Sequence, residues 1–137
     1  LPKSVLDEID RTEEVSSTNT GMHMCLALNY GSRAEIVRAV QNIAQQAVAG
    51  EIEIDQINDD TISQSLYTGG VPDPDLVVRT SGELRVSNFL LWQISYAELY
   101  ATEILWPDFD EAEFHKALRA YGSRNRRFGR IEEPNSE

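Results

Sequence analysis

Residues 75–98 read DLVVRTSGELRVSNFLLWQISYAE, and this stretch decides both the fold and the site that we predict. The apolar run Leu76–Val78 is long enough to form a short buried strand, and a glycine-containing turn follows it. In open α/β sheets, ligands bind outside the carboxyl ends of the strands. Arg79, Arg85 and Ser87 are therefore expected where two guanidinium groups and a hydroxyl suit a phosphate or a diphosphate.

Each arginine also has a plainer interpretation, as one half of a surface ion pair. Asp73, Asp75 and Glu83 are close in sequence and could provide the carboxylates. The combination of a strand end, a turn, a second arginine and a hydroxyl favours a ligand site. The residues Phe89, Leu91 and Trp92 are expected to add an apolar wall. Such a site suits an amphiphilic phosphate ester.

Glu98 lies in a mostly apolar stretch, where a carboxylate needs a partner. It either pairs with an arginine or ligates a hard cation such as Mg²⁺, which takes few protein carboxylates and fills its remaining sites with water and phosphate oxygens. The spacing alone favours the ion pair. Arg124, Arg126 and Arg127 are first interpreted as complementing the dipole of a helix end.

The composition restricts the class of ligand. The chain has 137 residues, enough for one modest domain, and its formal net charge of −11 argues against a general affinity for nucleic acid. No apolar segment reaches the roughly 18 residues that a membrane-spanning helix needs. The single cysteine, Cys25, excludes an internal disulfide and is expected to be buried. The chain begins at Leu1 without a methionine, which suggests a fragment.

Periodicity and capping patterns predict an alternation of helices and strands. The predicted elements are a helix within residues 2–14, a strand over Met22–Tyr30, a helix from a Ser32/Glu35 capping box to Gly50, a helix from Asn58 to about Tyr67, the strand over Leu76–Val78, a helical segment capped by Ser87, a strand within Tyr96–Ile104, and a helix from Asp110 to about Arg127. This order predicts an α/β fold with a mostly parallel sheet and flanking helices. Only three strands are visible, so another chain or a missing segment is expected to complete the sheet. The start of the helix after Gly31 is a weak candidate for an anion site.

Several motifs of the chain are recognisable together. They are the run over residues 75–93, YAELY at 96–100, LWPDFD at 105–110, RRFG at 126–129, and NYGSR at 29–33. These motifs closely resemble those of the cis-prenyltransferases, the family of undecaprenyl diphosphate synthase. The resemblance covers nearly all of the chain.

The resemblance implies an enzyme that condenses isopentenyl diphosphate repeatedly onto an allylic diphosphate such as farnesyl diphosphate, with Z geometry and with Mg²⁺. The product would be a long-chain polyprenyl diphosphate such as undecaprenyl diphosphate. By the match, Arg79, Arg85 and Ser87 would hold the diphosphate of isopentenyl diphosphate, and Glu98 would ligate the Mg²⁺.

The resemblance also implies an assembly and a location. Arg127 and Gly129 fall in the family's C-terminal Arg-x-Gly element, which reaches across the interface of a homodimer to the partner's active site. The enzyme is expected in the cytoplasm, and peripheral association with the membrane through its lipid product is a further expectation.

The chain departs from the family pattern in two places. Ser32 replaces the usual second glycine of the mid-chain motif, and nothing matches the N-terminal motif His-x-Met-Asp-Gly-Asn-Gly-Arg-Trp, which contains the catalytic aspartate. Residues 1–130 are therefore expected to be the C-terminal portion of a single cis-prenyltransferase domain, inactive alone, and residues 131–137 a disordered acidic tail. The alternatives are a non-catalytic interface subunit of a heterodimeric prenyltransferase and a generic diphosphate-binding α/β domain.

Overall fold

The computed structural model describes residues 1–124 of the chain. The Arg-x-Gly residues Arg127 and Gly129 and the acidic tail over 131–137 lie outside the described residues. The last helix ends at Gly122, earlier than the predicted end at about Arg127.

The described chain is an α/β structure in which four helices accompany a small parallel sheet. In chain order, the elements are α1 (Lys3–Ser16), α2 (Ser32–Ala49), α3 (Asp59–Ser65), β1 (Leu76–Arg79), β2 (Glu98–Ala101) and α4 (Glu111–Gly122), with short 3₁₀ turns at Ile54–Gln56 and Trp106–Asp108. This order confirms the predicted fold class.

The sheet consists of β1 and β2, which pair in parallel with Leu76 beside Glu98 and Arg79 beside Ala101. Hydrogen bonds continue past the strand ends, because the amide of Gly82 donates to the carbonyl of Thr102 at 2.9 Å. Gly82 has a φ of +66°, and a Cβ at this position would overlap the carboxylate of Glu103. The turn after β1 therefore favours glycine at this position.

The caps of α3 and α4 follow the sequence prediction. Asn58 Oδ1 accepts a hydrogen bond from the amide of Thr61 at 3.0 Å, and Asp110 Oδ1 accepts one from the amide of Glu113 at 3.0 Å. Each contact satisfies an amide that has no partner inside its helix. Helix α3 ends at Ser65, slightly earlier than predicted.

The predicted capping box at the start of α2 is wrong. Gly31 occupies the N-cap position and no side chain caps it locally, although Gly50 ends the helix in the left-handed conformation as expected. The side chains of Ser32 and Glu35 are fully or almost fully buried and bind residues far away in the sequence. Long-range contacts thus replace the local cap that the pattern predicts.

The predicted strand over Met22–Tyr30 is absent. No strand in the part of the chain that the structure describes pairs with it, and Met22 is 92% exposed. Cys25 is exposed as well, which contradicts its predicted burial. The apolar composition predicted a covered strand, but a strand forms only where a neighbouring strand accepts its hydrogen bonds.

The helical segment predicted after Ser87 is also absent, and residues 87–96 form successive turns. Ser87, Asn88 and Leu90 have φ angles of +54°, +59° and +47°. A right-handed α-helix requires negative φ at every residue, so Ser87 does not cap a helix here.

A buried carboxylate connects the helices to these turns. Glu35 is 1% exposed and accepts hydrogen bonds from the amide of Tyr67 at 2.8 Å, the hydroxyl of Tyr30 at 2.5 Å and Gln93 Nε2 at 3.3 Å. Burial, together with the bond to Glu35, raises the pKa of the Tyr30 hydroxyl. These three donors satisfy a charge that would otherwise be strongly unfavourable inside the protein.

The buried apolar residues are few: Ala39 and Ile43 of α2, Leu66 after α3, and Ala117 of α4. Within residues 1–124, no helix is long and apolar enough to cross a membrane.

Candidate functional site

Two arginines meet at the carboxyl end of β1. Arg79 ends the strand, and Arg85 follows the glycine turn, which brings the chain back toward the strand end. Both guanidinium groups donate to the carboxylate of Glu83, Arg79 through Nη2 to Oε2 and Arg85 through Nη2 to Oε1. The hydrogen bond from Arg79 is the main cause that lowers the pKa of Glu83 below its usual 4.5.

Arg79 keeps an unused donor in this arrangement. Its side chain is about one third exposed, at 36%, but its Nε is buried and has no hydrogen-bond partner among residues 1–124. A buried donor without an acceptor is unfavourable unless a ligand or water satisfies it. The unpaired Nε therefore fits a site that binds an additional oxygen ligand.

An apolar pocket of about 260 Å³ lies beside the two arginines. Arg79 and Arg85 contribute to its lining, and the other lining residues are Val77, Val78, Leu84, Val86, Phe89, Ile94, Leu99, Tyr100 and Ala101. The pocket thus combines two cationic groups with a mostly apolar wall. Phe89 belongs to this wall, whereas Leu91 and Trp92, which were also predicted for it, do not line the pocket.

Ser87 is exposed and lies two residues beyond Arg85, in the turn with positive φ angles. It does not line the apolar pocket. The structure therefore places Ser87 next to the arginine turn and outside the apolar part of the site.

Glu98 lies at the other end of the sheet. It begins β2 beside Leu76, whereas Arg79 ends β1 beside Ala101. Three residue steps in a strand span roughly 10 Å. Glu98 Oε2 accepts a hydrogen bond from Arg124 Nη1 at 2.6 Å, so the predicted ion pair is present, and the Mg²⁺ role stays a prediction.

Whether the described chain could hold Mg²⁺ depends on how its acidic residues are placed. Residues 1–124 contain no group of three or more histidine, cysteine, aspartate or glutamate side chains placed to hold a metal ion. Glu98 is 26% exposed, and Arg124 occupies only one of its oxygens. One accessible carboxylate cannot form a closed protein cage around Mg²⁺. It could provide one ligand to an ion whose other ligands are phosphate oxygens and groups outside these residues.

The ion pairs with Glu83 that the plainer interpretation of Arg79 and Arg85 predicts are present, and both arginines bind this one carboxylate. One contributor was missed by the sequence prediction. Asn88 was not considered, although it occupies the first amides of α2, with its carbonyl on Ser32 N at 2.9 Å. The amides of Ser32 and Arg33 are therefore not available to an anion, which argues against the helix start as a binding site.

Comparisons with known proteins identify relatives of the whole described chain. Residues 1–129 match the family model described as "Putative undecaprenyl diphosphate synthase". The chain is 47% identical over 130 residues to tritrans,polycis-undecaprenyl-diphosphate synthase (geranylgeranyl-diphosphate specific) of Thermoplasma volcanium, covering 95% of this chain and 50% of the relative. It is 48% identical over 130 residues to ditrans,polycis-undecaprenyl-diphosphate synthase ((2E,6E)-farnesyl-diphosphate specific) of Pasteurella multocida, covering 95% and 54%.

Two solved structures have the same fold. Lavandulyl diphosphate synthase from Lavandula x intermedia, in complex with dimethylallyl diphosphate, superposes with a TM-score of 0.90 at 42% identity, over 95% of this chain and 56% of that chain. A probable undecaprenyl diphosphate synthase from Campylobacter jejuni superposes with a TM-score of 0.77 at 35% identity, over 95% and 58%.

The chain spans about half the length of the curated relatives that it matches. Identity close to one half over nearly all of these residues, with the same fold, confirms the resemblance found in the sequence motifs. The chain therefore belongs to the cis-prenyltransferase family, the family of undecaprenyl diphosphate synthase.

Proposed function

We propose that the protein containing these residues catalyses cis-prenyl chain elongation. It condenses isopentenyl diphosphate onto an allylic diphosphate, of which farnesyl diphosphate is the expected primer, and makes a long-chain polyprenyl diphosphate such as undecaprenyl diphosphate. In each cycle, the bond between the allylic carbon and its diphosphate breaks, and a carbon–carbon bond forms to the alkene of isopentenyl diphosphate. A proton then leaves, and a new Z double bond remains.

The observation that carries this proposal is the pair of arginines beside the apolar pocket. Arg79 and Arg85 converge on one carboxylate, and Arg79 Nε is buried without a protein partner in the described chain. Guanidinium groups bind diphosphate oxygens through several parallel hydrogen bonds. An isoprenyl diphosphate has an anionic head and a short apolar tail, which suits the arginines and the adjoining pocket of about 260 Å³.

Within this proposal, the residues of the chain bind and orient isopentenyl diphosphate. Arg79 and Arg85 hold its diphosphate, and the hydroxyl of Ser87 adds a further hydrogen bond. Fixing the diphosphate fixes the direction of the alkene toward the allylic carbon, which lowers the entropic part of the barrier.

Mg²⁺ is part of the proposal. Glu98 is the residue of this chain that would hold it. The ion would either replace Arg124 at the carboxylate or bind beside it. The ion would neutralise negative charge on diphosphate oxygens. Arg127 and Gly129 are proposed to act at the interface of a homodimer, and the enzyme is proposed to work in the cytoplasm and to contact the membrane through its lipid product.

The alternative of a non-catalytic interface subunit is less well supported. Such a subunit has no need for Arg79, Arg85, Ser87 and Glu98, and this chain contains all four. The arrangement of the first two around an apolar pocket favours the catalytic function.

Steady-state kinetics of the intact enzyme tests the proposal. Arg79→Ala and Arg85→Ala are each expected to raise the KM for isopentenyl diphosphate, because each lost charge-assisted contact costs about 1.5–3 kcal/mol, or roughly tenfold to a hundredfold. Arg11→Ala is the matched control, since Arg11 is an exposed arginine on α1 that binds Glu8 and does not line the pocket. An unchanged KM for isopentenyl diphosphate in both site variants would remove the proposed binding site.

A further inference from the structure

The turn that contains Ser87 is fastened to the start of α2 through Asn88. The carbonyl of Asn88 accepts a hydrogen bond from the amide of Ser32, and its Oδ1 accepts one from the amide of Arg33, both at 2.9 Å. The amides at the start of a helix have no partner within the helix. Asn88 therefore caps α2 although it lies 55 residues away from Arg33 in the sequence.

A third hydrogen bond runs in the opposite direction. The hydroxyl of Ser32 is fully buried and accepts from the amide of Leu91 at 2.9 Å. Gly31 leaves room for the Asn88 side chain, because a Cβ at that position would lie 2.9 Å from Asn88 Nδ2. The turn is thus bound to α2 on both sides of Phe89.

The backbone of this turn needs such support. Ser87, Asn88 and Leu90 all have positive φ angles, which residues with a Cβ rarely adopt. Asparagine is one of the few residues that tolerate this conformation, but serine and leucine are not. An uncommon backbone conformation persists where surrounding contacts determine it, and here those contacts come from the start of α2.

We propose that Asn88 is a positioning residue for isopentenyl diphosphate: by capping α2 it holds the turn in the conformation that directs the Ser87 hydroxyl to the diphosphate. This inference rests on the proposed function, because Ser87 has a role only if the site binds that diphosphate. Asn88 itself acts through Ser87 and needs no contact with the substrate.

The test uses three substitutions in the intact enzyme. Asn88→Ala removes the Oδ1 acceptor and disfavours the positive φ, whereas Asn88→Asp keeps an acceptor and tolerates the conformation. Asn88→Ala is expected to raise the KM for isopentenyl diphosphate roughly three- to tenfold, as for the loss of one neutral hydrogen bond, with the KM for the allylic diphosphate unchanged. Asn88→Asp is expected to keep the KM for isopentenyl diphosphate within about threefold of the wild-type value. If Asn88→Ala does not fold, Asn88→Gly provides the same test, because glycine adopts positive φ freely.

A double-mutant cycle with Ser87→Ala separates positioning from a general structural effect. If Asn88 acts through Ser87, then Asn88→Ala has little further effect on the KM for isopentenyl diphosphate once the hydroxyl is gone. Additive effects of the two substitutions, an equal rise of both KM values, or a fall in kcat alone would each overturn the inference.

Arg79→Ala, measured in parallel, distinguishes a failure of the positioning role of Asn88 from a failure of the proposed binding site. If Arg79→Ala raises the KM for isopentenyl diphosphate and Asn88→Ala does not, only the role of Asn88 is wrong. If neither substitution changes this KM, the proposed binding site and the positioning role both fail.

Discussion

Glu83 is the residue that organises the arginines. Its two carboxylate oxygens each bind a different guanidinium group, so Arg79 and Arg85 are held close together without any ligand. Two unneutralised guanidinium groups at this separation would repel each other, and the shared carboxylate removes most of that repulsion. The side chain of Glu83 is about one third exposed, and water screens both ion pairs.

The protonation of Glu83 gives a testable prediction. Because Arg79 lowers the pKa of Glu83 below 4.5, the stabilisation from this carboxylate is fully present above pH 4.5 and is lost as the pH falls through the lowered value. We expect the ¹³C carboxyl resonance of Glu83 to titrate with a midpoint below 4.5, and the difference in Tm between wild type and Glu83→Gln to shrink below that pH.

Arg79→Ala is the control for this titration, because it removes the largest cause of the shift. In that variant the Glu83 midpoint is expected to move up toward 4.5. A midpoint at or above 4.5 in the wild-type protein would contradict the ion pairs described here.

The helices of this chain are capped at their N-termini in two ways. Helices α3 and α4 begin with a side chain from the preceding residue, Asn58 or Asp110. Helix α2 begins at Gly31 and receives its cap from a distant turn. The first kind stabilises a helix locally, whereas the second also connects the helix to the site.

The local cap of α3 yields a stability prediction. Asn58→Ala removes the acceptor for the amide of Thr61 and is expected to lower the free energy of unfolding by about 1 kcal/mol. Asn58→Ser is the control, since serine is an equally favourable N-cap and should lower it by much less. Urea unfolding of both variants at neutral pH measures the difference, and equal stabilities would show that this cap contributes little.

Local signals predicted several elements correctly, although the strand over Met22–Tyr30 and the helical segment after Ser87 are absent. The caps at Asn58 and Asp110, the apolar period of α2 and the apolar run of β1 each involve neighbouring residues, and all four elements are present. The pattern at Ser32 and Glu35 looked equally local but was misleading. Both side chains are buried and bind residues of the turns after α3 and after Arg85, which no short-range pattern can indicate.

The same difference applies to the candidate site. Arg79 and Arg85 were predicted because a strand end and a turn bring them together within seven residues. The position of Glu98 at the other end of the sheet depends on the register of β2 against β1, and the capping contact of Asn88 depends on tertiary packing. Register and packing are set by the whole fold, so the sequence pattern alone did not predict them.

At the scale of the whole molecule, much apolar surface is left uncovered. The irregular segment over residues 22–28 has highly exposed apolar side chains, among them Met22, Met24 and Leu26, and the sheet within residues 1–124 has two strands. Large exposed apolar areas mark surfaces that contact other protein or ligand. The chain spans about half the length of its curated relatives, which agrees with surfaces that further residues would cover.

This surface and the missing aspartate motif lead to a prediction for the 137 residues alone. We expect the isolated chain to incorporate no labelled isopentenyl diphosphate into extractable polyprenyl product, under conditions in which an intact relative is active. The intact relative, assayed alone and mixed with the isolated chain, controls for inhibitors in the preparation. Measurable prenyl transfer by the isolated chain would mean that residues 1–137 contain a complete catalytic site.

The carboxylate shared by the two arginines places a negative charge beside any anion that binds there. Each arginine gives Glu83 only one Nη2, so an incoming ligand can bind the remaining donors, among them the unpaired Arg79 Nε. The ligand is then attracted by two guanidinium groups and repelled by Glu83. A diphosphate brings more charge and more oxygens to these donors than a singly charged anion, which favours it over the abundant monoanions of the cell.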